Sequence, residues 1–219
     1  MRQLINKRIV AYLFLFILIV TLNNKNLNKI ELPKIDRIEI SGLGIENNIK
    51  LSKELDLIKK QNLFFLNTKE INKILISHNM IEKFPIFKKY PSTLLIQIKK
   101  TKFLAYTKKN DSNYFIGSNK KFIRANYIND KIPFIFGNFT ISDFFKFEKE
   151  IQNSKFKMEQ IKNLFFFKSG RWDIETYSGI LIKLPNKKLK ESLDLSFTII
   201  NDINFENIKM MDLRQNNQT

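Results

Sequence analysis

Cysteine is absent from this chain of 219 residues, and histidine and tryptophan each occur once. Without cysteine the protein forms neither disulfides nor thiolate metal sites, although this alone does not fix its cellular compartment. The single histidine, His78, lies one turn beyond the apolar stripe of a predicted helix. We interpret it as a helix-end residue, because a metal site needs several ligands. We therefore expect no metal and no cofactor.

Catalytic motifs are also missing. The sequence has no G-x-S-x-G, no H-E-x-x-H and no Walker loop, and Gly42-Leu-Gly44 lacks the spacing of a phosphate loop and reads as a turn. The sequence leaves open a glycosidase-type pair of carboxylates, because any two of its 21 acids would serve. Most of these acids stand near lysines, where solvated ion pairs are the default. We predict a protein that is not an enzyme and has no small-molecule substrate, and keep a membrane-tethered cell-wall hydrolase as a third hypothesis.

Acidic residues are far outnumbered, since 38 Lys and Arg against 21 Asp and Glu give a net charge of +17. This charge would attract anionic lipid, nucleic acid or cell-wall polymer. The alternative is a compositional bias, because Lys, Asn, Ile and Phe are over-used together, as in AT-rich genomes. The lysines are scattered rather than clustered with aromatic residues, which favours the bias. Hydrophobic residues make up 43% of the chain and exclude wholesale disorder.

The amino end predicts a membrane anchor. A basic stretch without acids precedes the uncharged run Ile9–Leu22, which is shorter than the roughly 20 residues that span a bilayer. Asn23, Asn24 and snorkelling lysines extend it, and no good cleavage site for signal peptidase follows. The sequence therefore predicts a cytoplasmic tail (1–8), an uncleaved signal anchor (9–24), a linker (25–35) and translocation of the remainder. This topology argues against nucleic acid as a partner.

A hairpin within Ile81–Lys100 gives the clearest local pattern. Two runs of β-forming residues flank the turn Tyr90-Pro91-Ser92. Leu94, Ile96 and Ile98 alternate with more polar positions, as in a strand with one buried face. Upstream lie a strand (Arg37–Ser41), a helix from Ile49 to Lys60 and a second helix that Thr68 is expected to cap. This order predicts a βααββ unit over residues 36–102.

The carboxyl half predicts a second, mixed β-rich domain over residues 103–219, so the fold class is α+β. Ser142 and Asn186 are expected to cap its two flanking helices. The predicted strands lie in Tyr114–Phe122, Ile161–Lys168, Gly170–Pro185 and Ile208–Arg214.

Six motifs in order resemble the FtsQ/DivIB family of bacterial cell-division proteins. They are Ile38-x-Ile-x-Gly42, Asn62-Leu-Phe-Phe-Leu-Asn67, Tyr90-Pro-Ser-Thr-Leu-Leu-Ile96, Ile132-Pro-Phe-Ile-Phe-Gly137, Gly170-Arg-Trp-Asp-Ile174 with Gly179-Ile-Leu-Ile-Lys-Leu-Pro185, and Ile208-Lys-Met-Met-Asp-Leu-Arg214. Two places depart from the family pattern. Lys99 to Leu104 replace most of "E-R-x-P-x-A", of which Ala105 remains, and Ser118 and Lys120 replace a turn Asp and Gly.

The resemblance implies a fold and a role. The fold is a single transmembrane helix, a POTRA domain and an FtsQ-type β domain with an exposed edge strand. The role is a non-enzymatic divisome scaffold of the inner membrane at the septum, with its amino terminus cytoplasmic and its bulk periplasmic. The implied partners are FtsB-like and FtsL-like division proteins and other divisome membrane proteins. The alternative function is a POTRA module for outer-membrane protein assembly or secretion.

In this family the partner adds a strand to the edge that follows "D-L-R". Carried over by position, Arg171 and Trp172 on the neighbouring strand become candidate partner contacts. Arg214, Gln215, Asn216 and Asn217 on the edge become candidates too. The arginines would pair with partner carboxylates, or else are solvated strand charges. Trp172 is equally explained as a large core residue.

Overall fold

The computed structural model describes residues 7–22, 33–125, 127, 129–202 and 208–214. Its helices are α1 (Lys7–Leu22), α2 (Ile45–Glu54), α3 (Lys69–Ser77), α4 (Ile141–Gln152) and α5 (Leu189–Ile200), with 3-10 turns at Asp56–Lys60 and Met158–Gln160. Its strands are β1 (Arg37–Ser41), β2 (Ile81–Lys83), β3 (Ile86–Lys89), β4 (Thr93–Gln97), β5 (Lys99–Lys100), β6 (Phe103–Lys109), β7 (Ser112–Gly117), β8 (Phe122–Arg124), β9 (Phe134–Phe136), β10 (Ile161–Phe166), β11 (Trp172–Thr176), β12 (Leu181–Lys183) and β13 (Met210–Asp212). The α+β class is confirmed.

Helix α1 covers most of the segment 9–24, where the sequence predicts a membrane anchor. It has 16 residues, and its apolar side chains from Ile9 to Val20 are exposed. Among the described residues, none of the helices combines the length and the apolar character needed to span a membrane.

The predicted hairpin is present as β3 and β4, on either side of the turn at Tyr90-Pro91-Ser92. β4 is the centre of a three-stranded sheet, antiparallel to β3 and parallel to β1. Its predicted apolar face is buried, since Leu94, Ile96 and Ile98 pack with α2 and α3 in one hydrophobic core. The period-two pattern therefore predicted this strand correctly.

Gly42 follows β1 at the point where the backbones of β1 and β4 come closest. Its φ is +109°, and a Cβ built on it would lie 1.8 Å from the carbonyl oxygen of Ile98. The hydrogen bond from Ile98 N–H to Ser41 O, at 2.7 Å, holds this approach together. Only glycine fits there, which gives the last residue of the first motif its physical reason.

Two helix predictions in the smaller unit need correction. The single helix predicted for Ile49 to Lys60 ends at Glu54, because the N–H of Leu55 is shared between the carbonyls of Leu51 and Ser52 and the chain tightens into a 3-10 turn. Thr68 precedes α3 but makes no side-chain capping bond. The side chain of Asn67 accepts from Lys69 N–H at 3.0 Å instead.

The larger sheet has the strand order β13-β12-β11-β10-β9-β6-β7-β8, and α4 and α5 cover one of its faces. The residues beneath the helices include Ile135, Leu164 and Ile174, one from each central strand, all nearly inaccessible. Gly137 comes directly after β9, where a Cβ would lie 2.2 Å from the carbonyl oxygen of Phe166. The helices and their core therefore occupy one face. The opposite face, which we call the open face, carries the exposed ring of Phe136.

The predicted caps of α4 and α5 are also wrong. Thr140, not Ser142, caps α4 in a reciprocal capping box in which Asp143 N–H donates to the Thr140 hydroxyl and Thr140 N–H donates to the Asp143 carboxylate. Asn186 precedes α5 without capping it, because its side chain donates to the carbonyl of Ser169.

The two departures from the family pattern contact each other where the two units meet. The hydroxyls of Thr101 and Ser118 are 3.2 Å apart, and Ser118 donates to the Glu82 carboxylate at 2.7 Å. The hydrogen bond from Ser118 and a second one from Lys99 lower the pKa of Glu82. The amide of Asn119 donates to the carbonyls of Asn79 and Ile81. The residues that stand at the two departures, Thr101 and Ser118, thus take part in the polar junction between the units.

Candidate functional site

Strand β13 forms an edge of the larger sheet within the described residues. It runs parallel to β12, held by the bonds from Leu181 N–H to Lys209 O and from Leu213 N–H to Lys183 O, at 3.0 and 2.9 Å. Because backbone groups alternate along a strand, the N–H and C=O groups of Met210 and Asp212 point away from β12. An edge of this kind is a template for strand addition.

Arg171 directly precedes β11, which is separated from this edge by β12, so it does not lie on the strand next to the edge as the sequence predicted. It is held by an acid of β11. Its Nε donates to Asp173 Oδ1 at 3.0 Å, and its guanidinium stacks over the ring of Phe167 with 4.2 Å to the centroid. Asp173 is buried. A buried carboxylate needs this partner, so Arg171 is fixed in position rather than freely solvated.

Arg214 makes the corresponding pair at the end of β13. Its Nε donates to Asp212 Oδ1 at 2.7 Å, and a second guanidinium nitrogen contacts Asp212 Oδ2. The backbone N–H of Arg214 also donates to Asp212 Oδ1. The Arg214 side chain lowers the pKa of Asp212 to about 2, and Asp212 raises the pKa of Arg214. Both groups are substantially exposed, so solvent screens the pair and it adds little to stability. Its main effect is to orient the guanidinium.

The open face of the sheet brings the two arginines to one surface cavity of about 350 Å³. The pairing register places Asp173 opposite Lys183, and Lys183 opposite Asp212, so a ladder of alternating charge runs across three strands. The cavity is lined by Phe165, Phe167, Arg171, Asp173, Leu181, Lys183 and Arg214. It combines an apolar floor with walls in which three cations accompany the single acid Asp173, which suits a segment that carries both an apolar and an acidic side chain.

Trp172 points to the opposite face. Only 5% of it is exposed, and it stacks on Phe147 of α4 with ring centroids 4.8 Å apart. It also contacts Phe139 and Phe166. The interpretation of Trp172 as a core residue is confirmed, while a direct partner contact stays a prediction. The predicted contacts Gln215, Asn216 and Asn217 lie outside the described residues.

Sequence reasoning missed three residues of this face: Asp173, Lys183 and Asp212. Each arginine is separated by one residue from its acid, in Arg171-Trp-Asp173 and in Asp212-Leu-Arg214. Residues two apart share a face of a strand, so this spacing was the available signal. Identifying Lys183 as part of this face required the pairing register of the strands, which the sequence alone did not supply.

The described residues contain little else that resembles a catalytic or metal-binding site. His78 ends α3 as predicted, and its Nε2 lies 2.8 Å from Glu54 Oε2 at the surface. Within the described residues, no group of three or more His, Cys, Asp or Glu side chains is placed to hold a metal ion.

The architecture defines a class of α+β protein in which a small βααββ unit precedes a larger mixed sheet with helices on one face and an open edge. The chain is similar to the cell division protein FtsQ of Rickettsia bellii (strain RML369-C). The two are 24% identical over 193 residues, covering 84% of this chain and 70% of the relative. This similarity, together with the order of the motifs, supports assignment of the chain to the FtsQ/DivIB family. No family model matches the chain.

The chain is also similar to a solved structure. That structure is the major extracytoplasmic domain of the trans isomer of the cell-division protein DivIB from Geobacillus stearothermophilus. The match covers 42% of this chain and 85% of that one, with 8% identity and a TM-score of 0.34.

Proposed function

We propose that this protein is a non-enzymatic, membrane-anchored scaffold of the division septum that binds FtsB-like and FtsL-like subunits outside the cytoplasm. The similarity to a cell division protein supports the general role. The observation that supports a binding mode is the edge strand β13, which has outward backbone groups and is followed by Arg214, while Arg214 and Arg171 line one cavity on the adjoining face. A partner strand that adds to β13 satisfies these backbone groups.

The arginines give the added strand its specificity in this proposal. A guanidinium has five N–H donors, so an arginine that binds one carboxylate through two of them retains donors for a second. Arg171 and Arg214 are each oriented by an acid, which reduces the side-chain entropy lost on binding. An acidic residue of the partner would therefore pair with them beside the apolar floor.

Replacing Met210 with proline tests strand addition directly. The Met210 N–H points out of the sheet, so Met210→Pro removes an outward donor while the bonds between β12 and β13 remain. We expect capture of the FtsB-like partner of the same cell to be lost in a pull-down, with the circular dichroism spectrum unchanged. Deleting Arg214 to Thr219 is expected to abolish capture in the same way.

The matched control is Met210→Ala, which shortens the same side chain but keeps the backbone donor. It should capture the partner as the unchanged protein does. Equal capture by the proline and alanine variants would show that the partner binds elsewhere.

Membrane anchoring through residues 9–24 is the second part of the proposal. Ile9–Leu22 is uncharged and follows a basic tail, and the neighbouring asparagines and lysines extend its reach. We further propose that the chain divides into the tail, anchor and linker named above, a POTRA domain over 36–102 and a β domain over 103–219. In this arrangement residues 25–219 lie in the periplasm.

Localisation of a fluorescent fusion in dividing cells tests the role as a whole. A septal scaffold is expected to form a band at midcell, because its partners assemble there. A uniform signal around the envelope would favour the alternative function in outer-membrane protein assembly or secretion. Purified protein that degrades cell-wall polymer, with the activity lost on replacing one acid, would favour the hydrolase.

A further inference from the structure

An aromatic and basic cluster lies at one end of the smaller sheet. It comprises Lys60, Phe64, Phe65, Lys89 and Tyr90, which we call the end patch. Phe65 is 80% exposed, and the rings of Phe64 and Tyr90 contact each other with centroids 4.7 Å apart. Large apolar side chains that are exposed together, beside polar residues, mark an interaction surface.

The end patch surrounds the point where the chain enters the unit from its amino side. Lys34 forms a β-bridge with Asn62, and Ile35 N–H donates to the carbonyl of Gln61 at 3.1 Å. Asp36 N–H donates to the carbonyl of Ser92, in the turn next to Tyr90. The entering chain is thus bonded to both segments that carry the patch.

The second unit is attached at the opposite end. β1 and β4 are parallel, with Arg37 opposite Thr93 at the patch end and Ser41 opposite Gln97 at the far end. After Gln97 the chain leaves towards β6 and the larger sheet. The end patch therefore faces the side from which the amino-terminal segment arrives, away from the junction with the second unit.

Positive charge prevails around the patch. Lys60 and Lys89 are exposed, whereas Lys88 bonds to the carbonyls of Phe64 and Leu66. Of the nearby acids, Asp56 is paired with Lys59 at 2.8 Å, Glu70 accepts a hydrogen bond from Gln61, and Asp36 is exposed. Lys34 and Lys69 add further positive charge at this end, whereas Arg37 is paired with Glu39 at 3.6 Å.

We propose that the end patch binds the anionic surface of the membrane in which the chain is anchored. This inference rests on the proposed function, because it takes residues 9–24 as the anchor. Only ten residues, 23–32, separate α1 from Pro33, so the patch stays within about 40 Å of the anchor. Aromatic rings favour the interfacial layer of a bilayer, and each lysine near an anionic surface adds about 1 kcal/mol. The anchor supplies the surface, and the patch matches its chemistry.

The absence of cysteine makes a labelling experiment clean. The full chain with Phe65→Cys is labelled with an environment-sensitive fluorophore and reconstituted into vesicles of phosphatidylcholine, alone or in equal parts with phosphatidylglycerol. Ile45→Cys is the matched control, because Ile45 is 83% exposed and begins α2 at the far end of β1. Lipid-borne and aqueous quenchers report where each label lies.

The label at position 65 is expected to be quenched by lipid and shielded from water in vesicles with phosphatidylglycerol, and the label at 45 to remain in water. Lys60→Gln and Lys89→Gln should each reduce the ratio of docked to undocked protein about fivefold, corresponding to about 1 kcal/mol per lysine. Similar quenching at 65 and 45 in anionic vesicles would overturn the proposal. Lipid contact only when another protein is added would assign the patch to a protein partner and overturn it equally.

Flotation of the vesicles at neutral pH, and again after an alkaline wash that removes peripherally bound protein, separates this proposal from the anchor. Flotation in every lipid with the label at 65 in water leaves the anchor correct and the patch wrong. Flotation at neutral pH that requires phosphatidylglycerol, and that is lost after the wash and in the lysine variants, leaves the patch correct and the anchor wrong. A chain that floats with neither lipid contradicts both.

Discussion

Replacing Gly42 with alanine is expected to unfold the smaller unit or to destabilise it by at least about 4 kcal/mol, beyond the usual range for one substitution. The added methyl group would lie 1.8 Å from the carbonyl oxygen of Ile98, and its nearest neighbours are all backbone atoms of Ile98, which cannot rotate away as a side chain could. The positive φ of Gly42 adds strain of its own. Relieving the overlap requires β1 and β4 to separate, which breaks the bond between Ile98 N–H and Ser41 O. Thermal unfolding followed by circular dichroism measures the loss.

Gly44→Ala is the matched control for this prediction. Gly44 also has a positive φ, at +93°, but nothing lies within 4 Å of a Cβ built there. Its replacement carries the backbone strain without the overlap and is expected to cost about 1–3 kcal/mol. If the two alanine variants lost equal stability, conformational strain alone would explain why position 42 requires glycine.

The elements that sequence predicted well are those in which burial and periodicity agree. The alternation of Leu94, Ile96 and Ile98 predicted a buried strand face because the period of a strand is short and the burial nearly complete. Helix ends were predicted poorly. Ser142 has the right residue type for a cap, but Thr140 has an acid three residues later and completes a capping box. The spacing of Thr140 and Asp143 was visible in the sequence, and a complete capping box predicts the helix start better than a suitable residue type alone.

The junction between the units could not be predicted from one sequence. Thr101 and Ser118 stand where the family pattern has other residues, and each one considered alone indicates only that a family residue is missing. Their hydroxyls lie 3.2 Å apart, and Ser118 also donates to the Glu82 carboxylate, so the two departures compensate each other in space. A contact between segments distant in the chain leaves no local periodicity to detect.

The candidate site was half predictable. Arg171 and Arg214 were identified from the motifs, and they lie in one cavity. The period of a strand also predicts that Trp172, between Arg171 and Asp173, points to the opposite face. Grouping Trp172 with Arg171 as one contact surface therefore conflicts with strand geometry. The burial of Trp172 against Phe147 agrees with the alternation.

Replacing Trp172 with alanine is consequently expected to cost about 3–5 kcal/mol of stability, as for other buried aromatic residues. The indole fills the space between β11 and α4, and its removal leaves a cavity against Phe139, Phe147 and Phe166. Denaturant unfolding followed by circular dichroism gives the loss, since the variant has no tryptophan to report by fluorescence.

Trp172→Phe distinguishes a core role from a partner contact. Phenylalanine keeps a ring that packs on Phe147, so this variant should lose less stability than the alanine variant and remain folded at working temperature. Arg171 and Asp173 lie on the other face and keep their ion pair, so a folded Trp172→Phe protein should capture the FtsB-like partner with unchanged affinity. Weakened capture by a fully stable Trp172→Phe protein would instead make the indole part of the interface. The same result would require the partner to reach the helical face of the sheet, where a strand added to β13 alone does not extend.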